Sequence, residues 1–226
     1  MREKKSKIRE LNDEHAMVYD VITIFPFYRN HLKQIITELG PERSKLYLDL
    51  GCGTGNLLEI AQDREVLFIG VDFSREMLKK AKKKGKNLVM ADLHYLPFRK
   101  SSIDGITNVN VFYQLDHPKM FLKEVYRVLK PGGKIIISTP RRGGSSFSFV
   151  PRLIKTVIRH PGLLTNVGKI KELTAYSKNN RDTVDLNPAF YDKEELEEML
   201  ADFEVQSIKK AYEGQNWLVV ARKPAK

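Results

Sequence analysis

Short apolar runs alternate with helical patterns along the first 140 residues. The β-type runs occur at 46–50, 66–71, 87–90, 103–109 and 134–138. The helical patterns between them include 56–63, a helix capped by Ser74 and ended by Gly85, and 117–130, which is expected to stop at Pro131. This alternation with short connections predicts a parallel sheet covered by helices, with ligands bound at the carboxyl ends of the strands.

The stretch LDLGCGTGN places Gly51, Gly53 and Gly55 where the first strand ends and the first helix begins. Glycines at such a turn let backbone N–H groups approach a ligand without interference from a Cβ atom. The spacing differs from the dinucleotide fingerprint G-x-G-x-x-G, because Asn56 occupies the third glycine position. Asp49 would repel a pyrophosphate but suits a cationic ligand group. The alternative interpretation is a tight turn without a ligand.

Two further acids follow the next two strands. Asp72 ends the run VLFIGVD, where a carboxylate can accept hydrogen bonds from both hydroxyls of a ribose. Asp92 follows the third run, where it can accept from a purine amine, and Phe73 and Leu93 are placed to sandwich the ring. Each acid alone also fits a helix N-terminal charge or a loop cap. Together with the acid before the glycine loop, they predict a pocket for a cationic ligand that carries ribose and adenine.

Five segments, in this order and spacing, carry a family resemblance. They are LDLGCGTG, GVDFS, ADLHYLPF, IDGITNVNVFYQLDHP and EVYRVLKPGGKIIIS. The chain resembles a class I S-adenosylmethionine-dependent methyltransferase, and within that class the ubiquinone/menaquinone-biosynthesis and sterol methyltransferases. The resemblance implies an α/β fold: a doubly wound, seven-stranded, mostly parallel sheet whose last strand is antiparallel. The C-terminal segment agrees with this fold, because its sequence predicts a helix at 193–201 and two strands, FEVQSIKKAY and NWLVVARK, paired as a hairpin.

The resemblance also implies S-adenosylmethionine as the cofactor. The residues that it assigns to the methionine part are Asp49, Gly51, Gly53, Gly55 and Asn108; to the ribose, Asp72; and to the adenine, Phe73, Met77, Asp92 and Leu93. Members of the family often close an N-terminal helical segment over the donor, which here would involve Tyr19 and Tyr28. Tyrosines at helical spacing also fit core packing.

The reaction of this family needs few catalytic groups. The sulfonium methyl is already activated, so alignment of the acceptor and exclusion of water supply most of the rate enhancement. A base is needed only where the acceptor must lose a proton. The candidates are Tyr113, Asp116, His117 and His15. His117 also fits the start of a helix, so the sequence assigns no catalytic base.

Composition limits the class and the compartment. Of the 226 residues, 42% are hydrophobic and 30% charged, as in a globular domain. The single cysteine, Cys52, excludes an internal disulfide and fits a reducing compartment. The charged N-terminus lacks a signal sequence and no apolar stretch approaches a membrane span, so we expect a cytoplasmic protein. No CxxC pair or histidine cluster predicts a metal site.

Two nucleic-acid chemistries are disfavoured by the motifs. Methyltransferases that act on the adenine amine usually carry an Asn/Asp-Pro-Pro-aromatic motif after the fourth strand, whereas this chain has NVNVFY. Cytosine C5 methylation needs a nucleophilic cysteine, and Cys52 is inside the glycine loop. The net charge of +11 is concentrated at 1–10, 79–86 and 141–181. Such runs attract RNA or a membrane surface, although a solvated helix face is the commoner outcome.

The segment 141–190 separates the fifth strand from the tail. Within 147–160, apolar residues share one helical face, and Arg152, Lys155 and Arg159 share the other. We interpret this basic amphipathic helix as a lid over the acceptor pocket, which favours a lipophilic acceptor. The alternatives are contact with a membrane surface, packing on the sheet and a dimer contact.

The sequence therefore predicts four regions. They are an N-terminal helical cap (1–44), a cofactor-binding core (45–140), the helical insertion (141–190) and a C-terminal helix with a hairpin (191–226). The predicted function is methyl transfer from S-adenosylmethionine to a small, lipophilic acceptor. An RNA methyltransferase that uses the basic patches and a protein that binds the cofactor without turnover are the alternatives. The oligomeric state is not predicted.

Overall fold

The computed structural model describes residues 11, 13–62, 66–85, 87–143, 169, 171–176, 178 and 189–225. Its strands are β1 (Leu46–Leu50), β2 (Leu67–Asp72), β3 (Leu88–Met90), β4 (Ile103–Val109), β5 (Leu129–Pro140), β6 (Glu204–Ala211) and β7 (Asn216–Arg222). Its helices are α1 (Pro26–Leu39), α2 (Asn56–Gln62), α3 (Arg75–Ala81), α4 (Pro118–Val128) and α5 (Lys193–Met199). Residues 13–18 are also helical, and 3₁₀ turns cover Tyr19–Ile24 and Phe112–Gln114.

The strands form one sheet in the order β3-β2-β1-β4-β5-β7-β6. Strands β1 to β5 run parallel, and β7 lies antiparallel between β5 and β6. The strand order reverses between β1 and β4, which is where doubly wound sheets bind their ligands. This topology confirms the predicted seven-stranded, mostly parallel sheet with an antiparallel last strand.

Alternate residues of the central strands face two separate hydrophobic cores. Ile135 and Ile137 of β5 belong to the core that includes Phe121 of α4, whereas Ile136 belongs to the core that includes Ile35 of α1. All of these side chains are fully buried. A strand with helices on both faces must be apolar on both faces, which explains the continuous run KIIIS.

The start of β5 differs from its prediction. The sequence predicts a helix to Lys130, but α4 ends at Val128 and β5 begins at the next residue. Gly132 adopts a φ of +76°, and its N–H donates to the Lys223 carbonyl at 2.9 Å. The Lys223 N–H in turn donates to the Gly133 carbonyl at 2.9 Å. The sequence Pro131-Gly132-Gly133 is typical of a loop. Its hydrogen bonds with Lys223, near the C-terminus, hold it in the sheet instead.

The amphipathic helix predicted over 147–160, and with it the proposed lid, lies outside the described residues. The ends of the insertion meet: Arg141 forms a β-bridge with Tyr191, and Arg142 forms ion pairs with Asp192 and Glu195. No helix in the described part of the chain is long and apolar enough to cross a membrane. Nor do three or more His, Cys, Asp or Glu side chains gather there in a group fit to hold a metal ion.

Candidate active site

The carboxyl ends of β1 to β4 meet at one edge of the sheet because these strands are parallel. The register pairs Asp49 with Thr107 of β4 and Asp72 with Met90 of β3. Asp92 follows the last residue of β3 by two positions. The three acids predicted from the sequence therefore lie at or just beyond the carboxyl ends of neighbouring strands, at the edge where the strand order reverses.

The glycine loop after β1 leaves an open cradle at this edge. Gly53 has a left-handed φ of +52°, and a Cβ atom built on it would have Met77 Sδ at 3.9 Å and a Tyr19 ring carbon at 4.0 Å as its nearest neighbours. Gly51 is different, because a Cβ atom there would lie 2.4 Å from Val111 Cγ2. Gly51 is thus required by packing, whereas Gly53 keeps the cradle open for a ligand.

Asp49 is a buried carboxyl group beside the cradle. It is only 3% exposed, and its Oδ1 accepts a hydrogen bond from Thr107 Oγ1 at 2.8 Å. Burial raises the pKa of Asp49 to about 7; the Thr107 hydrogen bond opposes the rise and the charge of Asp72 adds to it. A cation is the natural partner of such a buried acid, so Asp49 favours a positively charged ligand group.

Asp72 connects the glycine loop to the end of β2. Its Oδ2 accepts from the Gly53 N–H and its Oδ1 from the Ser74 N–H, both at 2.9 Å. Burial raises the pKa of Asp72, and hydrogen bonds from backbone N–H groups oppose that rise. An ionised carboxylate has about four acceptor positions, so Asp72 can bind a ribose hydroxyl while it holds the loop.

Asp92 is paired with a histidine that sequence reasoning missed. Asp92 Oδ1 accepts from the His94 backbone N–H at 3.0 Å and lies 2.7 Å from His94 Nδ1. His94 is 6% exposed, and its Nε2 has no hydrogen-bond partner among the described residues. A single histidine in a loop gives no signal in one sequence. Leu93 and Met77, both assigned to the adenine, are buried, and Phe73 is half-buried.

Asn108 is fully buried at the end of β4. Its Nδ2 donates to the Leu50 carbonyl at 2.8 Å, which fixes the amide against the end of β1. Its Oδ1 has no hydrogen-bond partner in the described part of the chain. A buried acceptor without a donor is costly, so this atom fits a ligand that brings an N–H group, such as an ammonium.

The N-terminal segment covers the glycine loop. Asp20 Oδ1 accepts from Thr54 Oγ1 at 2.5 Å and from Lys84 Nζ at 2.8 Å. Tyr19 lies at the cradle, as described above, whereas Tyr28 is 3% exposed and packs in the core around α1. The two predicted tyrosines thus differ in position, and the polar contacts of Asp20 were not predicted because its partners are distant in sequence.

Lysines of the basic run 79–86 bind groups of the protein itself. Lys79 pairs with Glu76 at 2.6 Å, and Lys80 donates to the Met17 carbonyl at 3.1 Å. Lys84 donates to Asp20, as above, and to the Asn56 side chain at 2.6 Å. These contacts favour a structural role for much of the run over a dedicated surface for nucleic acid.

Two of the four candidates for a catalytic base, Tyr113 and His117, lie in different surroundings. Tyr113 is 4% exposed, accepts a hydrogen bond from Gln114 Nε2 at 2.7 Å and stacks on Phe190. Burial raises the pKa of Tyr113. His117 is the N-cap residue of α4, and its ring centroid lies 6.0 Å from that of His94, near the adenine side. A role for either residue as a base stays a prediction.

Several known proteins resemble this chain in sequence or in fold. Residues 48–137 match the family model of a methyltransferase domain. An uncharacterized protein of Methanocaldococcus jannaschii is 30% identical over 205 residues, which cover 87% of this chain and 75% of the relative. A ubiquinone/menaquinone biosynthesis C-methyltransferase of Geotalea daltonii is 34% identical over 158 residues, which cover 62% of this chain and 67% of the relative.

A solved structure shows the same fold. It is a SAM-dependent methyltransferase of Thermotoga maritima, described as a possible histamine N-methyltransferase, with a TM-score of 0.67 and 24% identity over 96% of this chain and 99% of that chain. The chain belongs to the class I S-adenosylmethionine-dependent methyltransferases. Its cofactor is S-adenosylmethionine, which the cradle, the buried Asp49 and the unsatisfied Asn108 fit.

The cover over the glycine loop is testable through Asp20. We expect Asp20→Ala to weaken the binding of S-adenosylmethionine about tenfold, because it removes the hydrogen bond to Thr54 and the pairing with Lys84. The control is Glu42→Gln, which breaks the exposed ion pair with Lys45 and should change affinity by less than about twofold. Calorimetric titration measures both. An unchanged affinity in Asp20→Ala would show that the cover does not contribute to binding.

Proposed function

We propose that this methyltransferase acts on a small, lipophilic organic acceptor. The observation that carries the proposal is the aromatic wall beside the cradle. Tyr19 lies next to Gly53, and the ring centroids of His15 and Tyr176 lie 5.2 and 6.0 Å from that of Tyr19. A wall of rings next to the donor site favours an apolar or flat acceptor.

The residues of the chain position the reactants. The bound cofactor supplies an electrophilic sulfonium methyl group. Asp49 and Asn108 would hold its charged methionine end, and Asp72 would orient its ribose. The N-terminal segment covers the donor, so that the acceptor reaches the methyl group in a defined direction and water is excluded.

The relatives support a small-molecule acceptor. One is named for ubiquinone/menaquinone biosynthesis, and the Thermotoga structure is described as a possible histamine N-methyltransferase. The main alternative, an RNA acceptor, loses support from the basic run 79–86, because Lys79, Lys80 and Lys84 bind protein groups.

Labelled methyl transfer to a whole-cell extract, separated into lipid, metabolite and RNA fractions, tests the proposal. We expect label in the lipid or metabolite fraction, and none with Asp49→Asn as the inactive control. Label in RNA that disappears with added salt would support the RNA alternative. Absence of label in every fraction, from protein that binds S-adenosylmethionine, would indicate binding without turnover.

A further inference from the structure

His15 is a buried residue that packs against two half-buried tyrosines. Its ring centroid lies 5.2 Å from that of Tyr19 and 5.1 Å from that of Tyr176. It is 5% exposed, and its Nε2 has no hydrogen-bond partner among the described residues. Buried ring nitrogens normally have a partner, so this atom points to a ligand group.

The ring centroids of Tyr19 and Tyr176 lie 6.0 Å apart, so two distant segments of the chain build this cluster. Tyr28 of α1 and Tyr113, after β4, are also buried. Burial raises the pKa of Tyr19 to about 12 and that of the other three phenols above its usual value. The cluster is therefore uncharged at neutral pH, and Tyr19 connects it to the cradle.

The protonation state of His15 determines whether its ring can accept a hydrogen bond. Burial lowers the pKa of His15 to about 4, so the ring is neutral at physiological pH. A neutral imidazole of such low pKa is a weak base but a good hydrogen-bond acceptor. The neutral ring of His15 can accept a hydrogen bond from the N–H or O–H group of a methyl acceptor. The lone pair of that nitrogen or oxygen atom is then free to face the methyl group of the cofactor.

We propose that His15 Nε2 accepts a hydrogen bond from the methyl acceptor, and that this acceptor is a flat ring with an N–H or O–H group. The inference rests on the proposed function, because it places the acceptor beside the cofactor cradle. His15 is then a residue that contacts the substrate and sets both its orientation and its chemical class.

The test uses the full-length wild-type protein, loaded with S-adenosylhomocysteine and carrying ¹⁵N-labelled histidine. Phenol, aniline and benzoate, three probes with the same ring, are added in turn at millimolar concentration. We expect the His15 Nε2 resonance to shift with phenol or aniline and to remain unchanged with benzoate. The two responding probes separate an O–H from an N–H acceptor. His31 is the internal control, because its Nε2 already lies 2.7 Å from Ser138 Oγ.

Two variants add a functional readout. His15→Phe should weaken probe binding about tenfold or more, whereas His15→Gln, which keeps a hydrogen-bonding end, should stay within about threefold of the wild type. Neither should change the affinity for S-adenosylhomocysteine. If His15→Phe does not fold, the wild-type spectra with the three probes still show whether His15 Nε2 accepts a hydrogen bond.

The outcomes separate this inference from the function on which it rests. A His15 resonance that ignores phenol and aniline, or responds equally to benzoate, would overturn the inference while cofactor binding stands. Label found only in RNA in the extract assay would instead contradict the proposed function, and the inference with it.

Discussion

Asp49→Asn is expected to stabilise the cofactor-free protein and to abolish its binding of S-adenosylmethionine. The pKa of Asp49 is raised from 3.8 to about 7 by burial, so between these values the folded state holds a proton that the unfolded state releases. The stability that this proton contributes is fully present below about pH 4 and is lost as the pH rises to about 7. Above that pH the buried carboxylate destabilises the fold.

Asparagine removes the charge and keeps an oxygen for the Thr107 hydrogen bond. We expect the free energy of unfolding at pH 8 to increase by roughly 2 kcal/mol, and the affinity for S-adenosylmethionine to fall by about a hundredfold or more. Urea unfolding across the pH range and calorimetric titration measure the two effects. A variant less stable than the wild type at pH 8, or equal to it in cofactor affinity, would contradict this role for Asp49.

Asp104→Asn provides a control of opposite sign. Asp104 accepts from the Leu46 N–H and pairs with Lys130 at 2.8 Å, and these contacts outweigh burial and lower its pKa. Its contribution to stability is therefore present above the unfolded pKa and is lost as the pH falls through the folded value. We expect this variant to be less stable than the wild type at pH 8 and to bind the cofactor normally.

Gly51→Ala and Gly53→Ala are expected to affect different properties. At Gly51, with φ of +78°, the new methyl would lie 2.4 Å from Val111 Cγ2. Left-handed strain and overpacking together should lower the free energy of unfolding by about 3 kcal/mol. At Gly53 the methyl has room on the protein side, so strain alone should lower it by about 1 kcal/mol.

The Gly53→Ala methyl enters the cradle, and we expect it to weaken S-adenosylmethionine binding by about tenfold or more. Gly214→Ala is the matched control, because Gly214 has a φ of +82° and a Cβ atom there meets nothing within 4 Å. Gly214→Ala should lower the free energy of unfolding through backbone strain and leave the affinity for S-adenosylmethionine unchanged. Thermal unfolding and calorimetric titration of the three variants separate these effects, and a Gly53→Ala variant with normal affinity would place the ligand elsewhere.

The sequence predicts the fold and the strand-end acids well because both depend on local patterns. Asp49, Asp72 and Asp92 each follow a recognisable apolar run, and parallel strands bring their carboxyl ends together whatever the intervening helices do. The double role of Asp72 was not predictable, because the Gly53 N–H that it binds reaches it only through the turn of the loop.

What the sequence leaves out depends on contacts between distant segments. Pro131-Gly132-Gly133 reads as a helix stop, and only the pairing with Lys223 makes it part of β5. His15 has no neighbour in the sequence that marks it as more than one of several candidates. Its interest arises from Tyr176, which tertiary structure alone places against its ring.

The most direct test of whether the buried carboxylate of Asp49 binds the cationic cofactor is the pH dependence of cofactor affinity. Calorimetry measures the affinity for S-adenosylmethionine at each pH. The free protein protonates Asp49 below about pH 7, so binding of the cation must displace that proton. We predict a dissociation constant that rises as the pH falls from about 7.5 to about 5.5, by up to about tenfold per unit. A dissociation constant that does not change over this pH range, or no binding at millimolar concentration, would contradict the binding of the cationic cofactor by Asp49.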